Sequence, residues 1–172
     1  MALHPAFEEY AEVIWELGED DLDRIQARVA DRLGCSRPAV SEGIRRMERA
    51  GLVRRDGRTL RLTADGEQLA VRTVRRHRLA ERMLTDVLGV GWAEAHAEAG
   101  VWEHVLSDEV TDRLEALLDH PTTCPHGNPI PGASPVPIED TVPLSEVPVG
   151  RRCWIRRVTE QVEHTEGALE LL

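Results

Sequence analysis

Residues 35–63 read CSRPAVSEGIRRMERAGLVRRDGRTLRLT, and most of the fold class follows from this stretch. Ser36 can cap a helix and Pro38 suits its first turn. Val40, Ile44 and Met47 recur at the spacing of one buried helical face, and Gly51 ends the pattern. From Leu52 the chain alternates apolar and basic residues around Asp56-Gly57, a strong hairpin signal. Arg37, Arg45, Arg46, Arg49, Arg54, Arg55, Arg58 and Arg61 all fall on this one helix and hairpin.

Upstream, HPAFEEYAEVIWELGED (4–20) places Phe7, Tyr10, Ile14 and Leu17 at helical spacing. DLDRIQARVADRLG (21–34) predicts a second helix, with Ile25, Val29 and Leu33 on one face and Gly34 as its stop. Helix, helix, tight turn, helix and basic hairpin make a winged helix-turn-helix over residues 1–63. In such a module the third helix enters the major groove and the hairpin lies along the backbone. Ser36, Arg37, Pro38, Ser41 and Glu42 stand near the start of that helix, where base edges and adjacent phosphates lie. Arg45, Arg49 and Arg58 supply further phosphate contacts.

The net charge of −10 argues at first against a nucleic-acid partner. Its distribution argues the reverse. Between Arg37 and Arg78 twelve arginines face five acids, a balance of +7 that leaves −17 for the rest of the chain. A basic module is joined to an acidic one. Cys35, Cys124 and Cys153 are widely spaced and form no CxxC pair, which fits reduced thiols better than a disulfide framework. No apolar run approaches the ~18 residues of a membrane span, and the acidic start MALHPAFEEY lacks the regions of a signal peptide. A cytoplasmic protein with no membrane partner is expected.

Downstream, a long helix is predicted from Ala64 to about Leu88. WAEAHAEAGVWEHVL and SDEVTDRLEALLDH predict two more, with Ser107 or Asp108 as break and cap. Val101, Trp102, Val105, Val110, Leu114, Leu117 and Leu118 form an apolar stripe that calls for a partner, so a homodimer is expected. Residues 64–120 form this second domain. Residues 121–150 carry eight of the ten prolines and read as an extended linker. Over 151–172, RCWIRRVTEQ reads as a strand and HTEGALELL as a short helix, too little to close a barrel.

The chemistry-bearing residues sit at helical spacings. His77 and Glu81 are four apart. His96, Glu103 and His104 share one face of another helix, and Glu9 and Glu12 are three apart on the first. Helices that each offer ligands a turn apart are how bundles assemble divalent-metal sites. Imidazole and carboxylate without thiolate favour Mn²⁺, Fe²⁺, Co²⁺, Ni²⁺ or Zn²⁺. Cys124 and His126, in TTCPHGNP, read as structural residues of a proline loop. Trp92 and Trp102 read as core, and Cys35 as a small buried residue. Surface acids and histidines on a metal-independent winged-helix regulator remain an alternative. A metallo-hydrolase is a second, although HExxH, a nucleophile elbow and a phosphate-cradling loop are all absent.

RRHRLAERMLTDVLG (75–89), HAEAGVWEHVLSDEV (96–110) and HGNPIPG (126–132), after SRPAVSEGIRRMERAGLV, resemble the diphtheria toxin repressor family of metal-dependent transcriptional regulators. The resemblance covers nearly the whole chain. It implies a winged helix, a helical domain that binds metal and dimerises, and a small C-terminal β-barrel, here truncated. It implies a repressor rather than an enzyme, one that binds operator DNA when a divalent metal is bound and has no small organic ligand. His77, Glu81 and His96 match one family site, completed in iron sensors by two barrel residues that Glu160 and Glu163 would match. Glu9, Glu103 and His104 match the second.

Three departures follow from the same comparison. Iron sensors carry Met at the Glu9 position; manganese sensors carry Asp there and a Glu three residues on, which Glu12 matches. That favours Mn²⁺, with Fe²⁺ next and Co²⁺, Ni²⁺ or Zn²⁺ able to substitute in vitro. Gly100 stands where iron sensors have Cys and manganese sensors Glu, so its carbonyl is all it can offer. Glu42 stands where an iron sensor has Gln; a carboxylate there can accept from cytosine N4.

Overall fold

The computed structural model describes residues 5–134 and 141–163. Its N-terminal part is a winged helix built from α1 (Pro5–Glu19), α2 (Gln26–Arg32), α3 (Arg37–Arg49) and an antiparallel hairpin of β1 (Val53–Asp56) and β2 (Thr59–Leu62). Ser36 caps α3 by accepting the Ala39 amide at 3.3 Å, and Pro38 occupies its first turn. Val53 pairs with Leu62 and Asp56 with Thr59, and the turn between them runs through Gly57 at φ +61°. Only a residue without Cβ takes that left-handed conformation readily. Ile14, Leu17, Val29, Val40, Ile44, Met47 and Leu60 close a single core. Truncating one such residue to Ala costs about 2–5 kcal/mol.

The second helix is shorter than its periodicity predicts. Ile25 forms a β-bridge with Thr59, and the Leu60 amide donates to the Arg24 carbonyl at 2.7 Å. The chain before α2 therefore braces the wing, and its backbone groups are spent there rather than in a helix. Cys35 is exposed, not buried, because it lies in the turn that precedes α3.

The helical part comprises α4 (Ala64–Arg82), a π-helical turn (Met83–Val87), α5 (Trp92–Trp102) and α6 (Asp108–Leu117). Thr63 caps α4, accepting from the Gly66 amide at 3.2 Å. The long helix predicted to Leu88 thus changes pitch after Arg82, an irregularity that often marks functional sites. Helix α1 packs along α4 as well as inside the winged-helix core, so it belongs to both halves of the molecule. Ala80, Ala95 and Ala99, with Leu84 of the π-helical turn, form a second, small core; the three alanines let α4 and α5 approach closely.

The C-terminal third differs most from the sequence expectation. Residues 121–134 are not an extended linker. Cys124, His126, Asn128 and Ile130 are buried, Arg78 and Arg82 of α4 donate to the Pro129 and Thr123 carbonyls, and Thr123 bridges to Pro129. Gly127, at φ +88°, lies against the backbone of residues 156–157, where a Cβ would come within 2.2 Å of the Arg156 carbonyl oxygen. The prolines here shape a packed loop. The strand expected over 152–161 is not formed: residues 151–159 carry no regular structure, and α7 (Glu160–Glu163) follows. Among the described residues the hairpin is the only sheet, so no ladder exists for a further strand to join. The helix expected over 164–172 lies outside the described residues.

Arg78 ties these parts together. It is 1% exposed, and its guanidinium donates to Glu19 of α1 at 2.6 Å, to Glu160 of α7 at 2.7 Å and to the Pro129 carbonyl. Arg157 adds a bond to Asp20 at 2.9 Å. A buried guanidinium satisfied by three separate segments fixes their mutual placement, and deleting one partner of such a network costs about 3–5 kcal/mol. No helix among the described residues is long and apolar enough to cross a membrane.

Candidate metal centre

Helix α1 presents Glu8, Glu9, Glu12 and Glu16 toward the helical domain. Across from them stand His77 of α4, His96 and Gly100 of α5, and Glu103 and His104 just beyond it. A cavity of about 260 Å³ is lined by Glu9, Glu12, Glu16, His77, His96, Gly100, Glu103 and His104. Two domains thus contribute donors to one space.

Among the described residues, three groups of donor atoms are close enough to share an ion. They are His77 with Glu81 and His96, Glu12 with His77 and Glu103, and Glu81 with Cys124 and His126; within each, the atoms lie within 4.8 Å of one another. His77 stands in the first two. Its Nδ1 is 2.6 Å from Glu103 Oε2, while its Nε2 is 3.3 Å from Glu81 Oε1 and 3.1 Å from His96 Nδ1. The two ligand sets implied by the family resemblance therefore adjoin at this ring.

Charge is distributed unevenly along the array. Burial opposes a charge on His77, but Glu81 and Glu103 overcome it and hold the imidazole well above its usual range. Burial likewise opposes ionisation of Glu81, but His77, His126 and His96 outweigh it and hold the carboxyl well below the usual range. Glu12 behaves in the opposite way. Burial and then the neighbouring Glu103 push it well above the carboxylate range, and His77 offsets only part of this. Glu16 is raised for the same first reason, with Glu160 and Glu12 adding to it against Arg78 and Arg32. Burial thus leaves Glu12 and Glu16, in contrast to Glu81, with raised proton affinity, and a divalent cation bound at such carboxylates displaces the proton. Oxygen and imidazole donors, with one cysteine sulfur at the far end, are the chemistry such ions take.

The sequence-predicted ligands fall out as follows. His77, Glu81 and His96 come together, and so do Glu12 and Glu103. His104 lies 3.4 Å from Glu103 and 3.8 Å from Glu9 through Nε2. Gly100 lines the cavity, and a Cβ there would meet open space, so packing does not demand glycine. Glu160 is buried and bound to Arg78, outside the three groups. Burial opposes its charge, but Arg78 prevails and keeps it below the usual range. Glu163 lies in α7, and its side chain is outside the described residues. Two histidine neighbours were missed. Glu8, not Glu9, makes the short contact to His104, at 2.8 Å. His126 reaches Glu81 at 3.4 Å, with Cys124 Sγ 3.8 Å from the same imidazole nitrogen. The Cys-x-His spacing was a visible signal, but nothing local to the loop points it at α4. Trp92 is 41% exposed rather than core, and its ring stands edge-on to His126 at 5.2 Å.

On the winged helix, Ser36, Arg37, Pro38, Glu42, Arg45, Arg49 and Arg58 are exposed and Ser41 is half-buried. Glu42 pairs with Arg45 at 3.2 Å and with Arg49 at 3.3 Å. Val101, Val105, Val110 and Leu117 of the expected apolar stripe are exposed, Val105 by 75%.

A basic winged helix joined to a helical domain through buried carboxylates and imidazoles is the arrangement of a DNA-binding protein with candidate metal ligands at the junction of its two parts. Residues 2–59 match the family model for the iron dependent repressor, N-terminal DNA binding domain, and residues 63–132 that for its metal binding and dimerisation domain. The chain belongs to this family of metal-dependent transcriptional repressors of the iron and manganese type. It is 45% identical to the iron-dependent repressor IdeR of Mycobacterium tuberculosis, over 96% of this chain and 75% of that one. It is 48% identical to the diphtheria toxin repressor of Corynebacterium diphtheriae, over 73% of this chain and 56% of that one. A manganese-dependent transcriptional repressor solved in complex with manganese superposes with a TM-score of 0.71 at 40% identity, covering 77% of this chain and 63% of that one. ScaR with bound Cd²⁺ gives 0.62 at 36% identity, over 72% and 58%.

Proposed function

We propose that this chain is a cytoplasmic, homodimeric repressor of metal-homeostasis genes that binds operator DNA when a divalent ion is bound, with Mn²⁺ favoured and Fe²⁺ next. One observation carries the proposal: Glu12 and Glu9, on a helix that packs into the winged-helix core, share a cavity with Glu103 and His104 of the helical domain. A divalent ion there supplies the positive charge that the carboxylates lack. Glu12 would then hold α1, and with it α3, in a fixed relation to the helical domain. Two recognition helices can meet half-sites one helical turn apart only at fixed spacing. A hundredfold preference for the DNA-competent arrangement corresponds to about 2.7 kcal/mol, well within the reach of a few ligand contacts.

The donor set divides into Glu9, Glu12, Glu103 and His104 on one side of His77 and Glu81, His96, Cys124 and His126 on the other. The first is oxygen-rich and suits Mn²⁺; the second is mixed and takes Zn²⁺, Co²⁺ or Fe²⁺ more readily. The exposed valines and Leu117 are the surface for the second copy. Glu160, at the end of the segment read as the opening of a barrel, acts by holding Arg78, 2.7 Å away.

The test is a gel shift on DNA from upstream of the protein's own operon, with Mn²⁺, with Fe²⁺ and with chelator. A shift that appears with metal and vanishes with chelator is expected. A chelator-insensitive shift would instead identify a metal-independent regulator.

A further inference from the structure

We propose that Glu8 is a positioning residue of the metal centre: its carboxylate accepts the Nδ1 hydrogen of His104, fixes the tautomer of that ring, and leaves Nε2 as the nitrogen that faces the donor set. The inference rests on the metal-dependent reading above but concerns a residue with no part in its ligand set.

The geometry is specific. Glu8 Oε2 lies 2.8 Å from His104 Nδ1, a normal charge-assisted hydrogen bond. The other nitrogen, Nε2, is 3.4 Å from Glu103 Oε1 and 3.8 Å from Glu9 Oε1. Glu9 and Glu103 line the cavity; Glu8 does not. The ring thus has one face toward the cavity and one toward a carboxylate behind it. Glu8 and His104 are largely buried, with side chains 11% and 18% exposed, so bulk water competes poorly for either nitrogen.

A neutral imidazole carries one hydrogen and one lone pair, and the partner of the hydrogen decides which nitrogen keeps the lone pair. Histidines that ligate metals commonly donate their second nitrogen to a carboxylate, which sets the tautomer and raises the basicity of the ligating nitrogen. Glu8 is placed to do this, and it does so across the domain junction. It sits on α1, 96 residues from His104, so the hydrogen bond holds the first helix against the helical domain. His104 would meet an incoming ion already oriented.

The test uses the full chain and reads metal-free and metal-bound properties separately. In metal-free protein labelled with ¹⁵N-histidine, His104 should be the Nδ1–H tautomer. In Glu8→Ala it should become a mixture, and Mn²⁺ affinity by calorimetry should fall about 10–100-fold. Glu8→Gln keeps an oxygen that can accept from Nδ1 and should retain the tautomer and most of the affinity. An Nε2–H tautomer in the wild type, or unchanged affinity in Glu8→Ala, would overturn the inference. So would an equal loss in Glu8→Gln and Glu8→Ala, which would mark Glu8 as a ligand in its own right. Failure of the wild-type protein to bind any divalent ion would instead overturn the metal-dependent reading itself, a result distinct from any variant effect.

Discussion

The donor clusters on either side of His77 differ in chemistry and in where their residues come from. Glu81, His96, Cys124 and His126 all belong to the helical domain and the loop packed on it. Their charges largely compensate one another, since three histidines keep Glu81 ionised despite its burial. Glu9, Glu12, Glu103 and His104 come from two domains, and Glu12 is pushed toward its neutral form by burial and by Glu103. Glu81 is the better compensated carboxylate, with three histidines about it; Glu12 has His77 alone against burial and Glu103. The proposed switch therefore draws on the second cluster. Only donors drawn from both domains can change the relation between them, and only an uncompensated cluster gains much when an ion arrives.

The most direct way to break this contrast is Glu103→Ala. Glu103 meets His77 at 2.6 Å and lies in the group with Glu12, so its loss empties the cross-domain cluster of its central carboxylate. Metal-dependent operator binding by fluorescence anisotropy should fall at least about a hundredfold, the scale of the coupling itself. The circular-dichroism spectrum should stay that of the wild type. Retained metal dependence would move the switch to the other cluster.

Cys124→Ser sharpens the contrast from the opposite side. It replaces the only thiol near the array by a harder donor of similar size. Co²⁺-loaded protein should lose its thiolate charge-transfer absorption, and Zn²⁺ affinity should drop about tenfold or more. Mn²⁺-dependent DNA binding should change by no more than a few-fold. If it collapses as in Glu103→Ala, the clusters are one functional unit.

How much of this was legible in the sequence follows the same division. The winged helix was readable because each of its signals is local: the Ser36 cap, the Val40–Ile44–Met47 face and the Asp56-Gly57 turn. His77 with Glu81 was readable because a helix places residues four apart on one face. Cys124 and His126 were seen but given no ligand role, because their approach to Glu81 depends on the path of a proline loop across 43 residues of chain. Helical period also cannot decide between Glu8 and Glu9, which are adjacent; the rotation of α1 against its neighbours decides it. The expected strand near Trp154 failed for a different reason. Its alternation is real, but a strand needs a partner, and the described residues offer none.

On the DNA side, Arg37 differs from Arg45 and Arg49. The latter two share Glu42, which offsets part of their charge. Arg37 is exposed at the start of α3 with no ion pair among the described residues. Arg37→Ala should lower operator affinity about tenfold and reduce the slope of log K against log salt by about 1. Metal affinity should be untouched. An unchanged salt slope would mean that α3 docks with its other end toward the phosphates.

The smallest effect tests the charge imbalance itself. Glu16 lies on α1 beside the cross-domain cluster, and burial, then Glu160 and Glu12, raise its proton affinity well above that of an exposed glutamate. In the unfolded chain it titrates near its ordinary value, so between that value and its raised folded value the native state binds more protons. Stability then declines as pH rises. The contribution is fully present below the unfolded pKa and lost as pH climbs through the folded one. Glu16→Gln keeps the shape and an oxygen for Arg32, 3.4 Å away, but removes the charge that must otherwise be neutralised. In chelator, its melting temperature should exceed that of the wild type by a few degrees near pH 8, and the difference should shrink toward zero near roughly pH 4, where an exposed glutamate is itself protonated. With Mn²⁺ in excess the advantage at high pH should also shrink, because the wild-type carboxylates are then compensated. A variant less stable than the wild type at every pH would show that the ion pair with Arg32 outweighs the crowding of acids, and that the cluster is better balanced without metal than its buried carboxylates imply.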